Sequence, residues 1–100
     1  MPVHERRIPP DAHTAEEAHE ILRGWLIDGC LQCSLLPSAF PEPFGWGIFL
    51  ADVAHHVANA LAESEGTDRT QALQAITRAF NVEMRTPTDH HTGEYVDPDK

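Results

Sequence analysis

Apolar residues recur along this chain at helical spacing in three stretches and at strand spacing in one. Ala18, Ile21, Leu22, Trp25 and Leu26 follow i, i+3, i+4 and predict a first helix over residues 14–28. Thr14 and Glu17 form a T-x-x-E capping box at its start, where each side chain can satisfy an orphan N–H of the first turn. Asp28-Gly29 ends it, with Gly29 suited to the left-handed conformation after a helix. The pattern then alternates. Leu31, Cys33 and Leu35 point one way, and Cys30, Gln32 and Ser34 the other, which predicts a strand within residues 29–36. A lone strand leaves backbone N–H and C=O groups unpaired, so it needs a partner. The candidates are the arm at residues 3–8, the tail at 93–96, or the same strand of a second chain.

Residues 37–43 read as a rigid, Pro-rich connector in which the Phe40-Pro41 isomer is open. The second helix is expected to use Glu42 as cap and Pro43 as first residue, and to run to about Ser64 before Gly66. Its polar positions Asp52, His55, His56 and Asn59 fall at i, i+3, i+4, i+7 and form one narrow stripe. Nearly everything else on it is apolar or Ala. Such a helix wants contact over much of its circumference, as a central helix, a dimer interface, or both. The third helix starts at Thr67 or Asp68, with Gln71 completing a variant capping box. Leu73, Ile76, Phe80 and Met84 make its apolar stripe, Arg69, Gln74, Arg78 and Arg85 its solvent side, and Thr86-Pro87 its end. The expected architecture is α+β and mostly helical, in the order helix, strand, helix, helix. One domain over residues 14–88 would lie between a flexible arm, 1–13, and a flexible acidic tail, 89–100.

Charge narrows the class of partner. The chain has 100 residues, 7 basic against 16 acidic, and a net charge of −9. Residues 29–62 carry only Glu42 and Asp52 and no basic residue, so this stretch is poor in charge of either sign. Nucleic-acid binding needs Lys and Arg to displace counterions, and anionic membranes attract the same residues. Neither partner is expected. No stretch of 18 apolar residues exists, and the first residues lack the apolar region of a secretory signal. The two cysteines are therefore expected as reduced thiols in the cytoplasm.

Two clusters could carry chemistry. Cys30-Leu-Gln-Cys33 is a C-x-x-C, yet a separation of three inside a strand puts the thiols on opposite faces. Two small strand residues is the plain reading, and a redox or zinc site the sharper one. Asp52 lies three residues before His55 and four before His56, so its carboxylate can reach either imidazole on a helix. Asp52, His55 and His56 are thus the candidate metal ligands, completed by another chain or by His90-His91. The plain reading is the wet edge of an otherwise buried helix. His4, His13 and His19 read as solvated, and Trp25 and Trp46 as core anchors. Gly45 and Gly47 flank Trp46 and suggest close approach of another backbone. No Gly-rich phosphate loop, nucleophile elbow or acid/base carboxylate pair is recognisable, so no catalytic residue and no cofactor are assigned.

The order Ile21-Leu22-Arg23-Gly24-Trp25, then Asp28-Gly29, then the segment from Trp46 to Ala58, then Thr86-Pro87-Thr88-Asp89 resembles a small family of uncharacterised proteobacterial proteins, a domain-of-unknown-function family. The resemblance covers about residues 14–89 and is strongest over 46–58. It implies an element order and no activity. The functional expectation is a small cytoplasmic protein-interaction module, with a non-catalytic role favoured over an enzyme and the choice left open. It would act as a homodimer through antiparallel pairing of residues 30–36 across a two-fold axis. The alternative is a metal- or small-ligand-binding protein using Asp52, His55 and His56. A thiol redox role for Cys30 and Cys33 is the third reading.

Overall fold

The computed structural model describes residues 2–86 and 95–96. It has a sheet unit within residues 1–37 and 93–100 and a helical unit within 38–92.

The sheet unit opens with a single helical turn, α1 (Asp11–Thr14), followed by β1 (Leu22–Ile27) and β2 (Cys30–Leu35). β1 pairs antiparallel with β2, with Leu22 opposite Leu35 and Ile27 opposite Cys30. Asp28 and Gly29 are the two turn residues, and both have positive φ, 51° and 83°. That is the backbone of a tight hairpin whose twist matches its strands. The expected first helix over 14–28 is therefore replaced by α1, an extended stretch and β1. Asp28-Gly29 reverses the chain between two strands and does not end a helix. The Thr14–Glu17 capping box is unused, and Thr14 Oγ1 instead donates to the Asp11 carbonyl at 3.4 Å.

β3 (Tyr95–Val96) runs parallel to β2 on its other side, opposite Cys33 and Ser34. The strand over 30–35 stands as expected, and the tail is one of its partners. Its main partner is the segment read as helix. β2 thus meets strands on both sides, and the expected pairing with its own copy gives way to these intrachain ladders. The arm reaches the sheet by side chain. Arg23 Nε and Nη2 donate to Glu20 Oε1 and Oε2 at 2.8 and 2.9 Å, and Nη1 donates to Glu5.

In the helical unit a 3₁₀ turn at Pro37–Ala39 leads to α2 (Pro43–Glu65) and α3 (Arg69–Arg85). Both long helices begin and end close to where the sequence placed them. Pro43 occupies the first turn of α2, and Gly66 closes it at φ 71°, where a side chain would be strained. Asp68 caps α3 by accepting from the Gln71 N–H at 2.9 Å. No described helix is long and apolar enough to cross a membrane. The Phe40–Pro41 bond is trans.

Among the described residues only Ala58 on α2 and Ala72 on α3 are buried. Two methyl side chains let the helix backbones approach closely and cover little area. Phe40, Trp46 and Phe49 form a second cluster at the start of α2. Phe40 meets Trp46 edge-on at 5.1 Å, and Trp46 meets Phe49 at 5.6 Å. Gly45 makes room for it, because a Cβ there would lie 2.9 Å from Phe40 Cβ. A Cβ at Gly47 would meet nothing within 4 Å, so close approach explains Gly45 and not Gly47.

Two predictions follow from this packing. Gly45→Ala should lower stability by about 1–3 kcal/mol, because overpacking outweighs the helix-propensity gain. Gly47→Ala should leave stability unchanged or raise it by up to about 1 kcal/mol. Thermal unfolding of the two variants checks this, and equal shifts would refute it. The second concerns Glu20, whose carboxyl is held below its ordinary 4.5 by the Arg23 hydrogen bonds, with burial opposing weakly. A depressed carboxyl stabilises the fold above its unfolded value and loses that contribution as pH falls through the folded value. The stability gap between wild type and Arg23→Gln should therefore shrink below pH 4.5. Urea unfolding across that range would expose a gap that stays constant.

Candidate functional site

The polar stripe of α2 is laid out by helix geometry alone. Asp52, His55, His56 and Asn59 are all exposed. Asp52 and His56 stand one turn apart, and His55 diverges from His56 by about 100°. The residue that engages the stripe comes from α3. Gly66 turns the chain, Thr67 N donates to Leu61 O at 3.4 Å, and Asp68 fixes the first turn of α3. Arg69 therefore leaves α3 at its first position, where it reaches back to α2. Its Nε donates to Asn59 Oδ1, and its Nη2 lies 3.2 Å from His55 Nδ1.

A guanidinium has donors only, so His55 Nδ1 must accept and the neutral ring carries its proton on Nε2. A metal at Nδ1 would have to displace Arg69. A metal at Nε2 would need the proton on Nδ1, facing a donor. His55 thus serves the helix pair, while Asp52 and His56 remain free to meet solvent. Among the described residues, no three His, Cys, Asp or Glu side chains stand close enough to hold a metal ion. His90 and His91, considered as completing ligands, lie outside the described residues.

The family model described as "Domain of unknown function (DUF5076)" matches residues 5–88. The chain belongs to this family. A solved structure from the photosynthetic bacterium Rhodopseudomonas palustrus CGA009, described as a "putative pyruvate dehydrogenase", is similar to it at 33% identity and a TM-score of 0.72. The match covers 96% of this chain and 98% of that one. No curated protein matches. Membership assigns no residue a role.

Cys30 and Cys33 are free thiols, Cys30 exposed and Cys33 half-buried. Their cross-strand neighbours are Ile27 and Gly24, three apart, so the thiols project from opposite faces of the sheet. Trp25 is half-buried on the sheet face that carries Arg23, and Trp46 anchors the aromatic cluster. The groove along α3 at Leu73, Arg78, Asn81 and Arg85 is open to solvent, and its described lining comes from α3 alone.

A different feature of α2 stands out. Leu50, Val53 and Val57 continue the line of Trp46 at steps of four, three and four residues, and Ala60 extends it. These are the steps of a helix-packing seam. Leu50, Val53 and Val57 remain 37–44% exposed. The seam was legible as an uncharged helix with one polar stripe. Arg69 was not, because its place on the helical wheel of α3 reads as solvent side. The signal for it is its position one residue past the Asp68 cap, opposite two polar side chains one turn apart.

Replacing Arg69 with Ala should cost about 1 kcal/mol, the usual net value of such side-chain hydrogen bonds. In wild type the His55 ring should show the Nε2–H tautomer, and in the variant a mixture. Long-range ¹H–¹⁵N spectra of the imidazoles check this, and an unchanged tautomer in the variant would break the assignment.

Proposed function

We propose that this chain is a small cytoplasmic bacterial protein-interaction module that works as a homodimer, without a nucleic-acid or membrane partner. The observation that carries the reading is how few of the described residues are buried. Among them two alanines are buried, while apolar side chains on both units face outward. Leu26 is 78% exposed and Met84 70% exposed. Single exposed apolar residues are ordinary, and an aligned seam such as Leu50, Val53 and Val57 marks a contact surface. The net charge of −9 favours a protein over a polyanion as the object of contact. Free thiols at Cys30 and Cys33 fit a reducing compartment.

The dehydrogenase description is that of the Rhodopseudomonas protein, and no residue of this chain is assigned a catalytic role by it. The metal reading of Asp52, His55 and His56 ranks second, because His55 already meets Arg69. Asp52 and His56 would need further ligands from a second chain. Stoichiometric metal in untagged protein, lost in Asp52→Ala, would reverse this order.

Light scattering at micromolar concentration should give a mass near twice the 11.1 kDa of one chain. A mass near a single chain would overturn the homodimer.

A further inference from the structure

β2 is flanked on both sides, but β1 is at the edge of the sheet. In a hairpin with a two-residue turn, the closing pair exchanges both of its backbone hydrogen bonds. Here that pair is Ile27 and Cys30. Alternation then turns the backbone groups of Trp25 and Arg23 toward β2, and continues to Leu36, whose N–H donates to Ile21 O at 3.0 Å. The N–H and C=O groups of Leu22, Gly24 and Leu26 consequently point to the open edge. No described backbone group donates to them or accepts from them across that edge. β1 contains no Lys, no Pro and no bulge, and its one charged side chain, Arg23, is turned to Glu20 and Glu5.

The sequence around this edge reads nearly the same in both directions. Residues 21–27 are Ile-Leu-Arg-Gly-Trp-Leu-Ile, symmetric about Gly24 except that Arg23 mirrors Trp25. We propose that β1 pairs antiparallel with β1 of a second copy of this chain, with the two-fold axis at Gly24. This rests on the homodimer reading and names its contact.

In that register Leu22 lies opposite the partner copy's Leu26. Since Leu22 already faces Leu35 and Leu26 already faces Leu31, each row becomes four leucines running across both sheets. Leu26, the most exposed leucine, gains a neighbour at cross-strand distance. On the other face each Arg23, its guanidinium held by Glu20 and Glu5, lies opposite the partner copy's Trp25, where its aliphatic stem can pack beside the indole. The two Gly24 residues meet at the axis with no side chain between the strands. In a chain of net −9, residues 21–27 carry one formal charge, on Arg23, and Glu20 and Glu5 compensate it within the chain. Glu20 and Asp28 fall opposite each other at the ends of the pairing, and Glu20 is already forked to its own Arg23.

The test uses the full chain in a Cys30→Ser/Cys33→Ser background. A Cβ at Gly24 would meet only Leu31 Cδ1, at an ordinary 3.7 Å, so Gly24→Cys fits the strand. Under mild oxidation Gly24→Cys should convert largely to a disulfide-linked dimer. Leu22→Cys alone should not, and Leu22→Cys mixed with Leu26→Cys should cross-link between the two. Separately, Leu26→Lys places a charge on the edge at an exposed position and should halve the mass seen by light scattering, with unchanged circular dichroism. A wild-type dimer that survives Leu26→Lys, or that shows no linkage through Gly24→Cys, overturns the β1 contact and leaves the homodimer standing. A monomeric wild type overturns both.

Discussion

The governing constraint is how little area two antiparallel helices can cover. A helix pair buries one stripe of each member, and here the stripe closes on Ala58 and Ala72. At roughly 25 cal/mol per Å² of apolar surface, two methyl groups contribute little against the entropy of ordering forty helical residues. Close approach of the backbones is what the alanines provide. It leaves Leu50, Val53 and Val57 of α2 37–44% exposed. The aromatic cluster of Phe40, Trp46 and Phe49 adds a second, local foothold, and Gly45 is required for it. The sheet unit faces the same shortage, with Leu26, Ile27 and Leu31 all outward. An outward apolar surface on both units follows from the element lengths, and its use as a contact surface is the economical reading.

Local chemistry made the long helices readable. Pro43 in the first turn, Gly66 at the stop and Asp68 with Gln71 each act within a few residues, and all three devices are where the backbone needs them. β1 was not readable in the same way. Ile21, Leu22, Trp25 and Leu26 satisfy helical spacing, while the strand they form uses a different pairing of the same residues. Leu22, Gly24 and Leu26 share one face, and Ile21, Arg23, Trp25 and Ile27 the other. Asp28-Gly29 serves either as a helix stop or as a hairpin turn. The choice between them depends on the strand that follows, since Cys30–Leu35 needs a neighbour and the nearest one in sequence is the preceding segment. Weighing the Asp-Gly pair together with the orphan strand would have favoured the hairpin.

The polar stripe of α2 was visible for the same reason the helix was, because its spacing is a property of one element. What it does depends on a second element. Arg69 fills the acceptor side of the His55 ring and binds Asn59, so half of the stripe helps to hold the helix pair together. A single-helix view sees three candidate ligands, Asp52, His55 and His56. The hairpin shows a cation already there. Cys30 and Cys33 illustrate the opposite case, where strand periodicity alone separates the thiols and the structure keeps them apart.

Charge limits how two copies of such a chain can meet. Each copy carries −9, and at physiological salt the repulsion is screened beyond about 8 Å but acts at contact. Surfaces that touch must therefore be neutral or mutually compensating. Along α2 the requirement is met by the absence of charge on the Leu50, Val53 and Val57 line. Along β1 it is met by Arg23, whose charge Glu20 and Glu5 of the same chain already compensate. The two surfaces differ in what they can specify. A seam of leucine and valine accepts many apolar partners and sets no register of its own. A strand edge sets direction through its hydrogen bonds and register through its side-chain rows. The edge is thus the surface suited to a fixed partner, and the seam the one suited to a partner that changes.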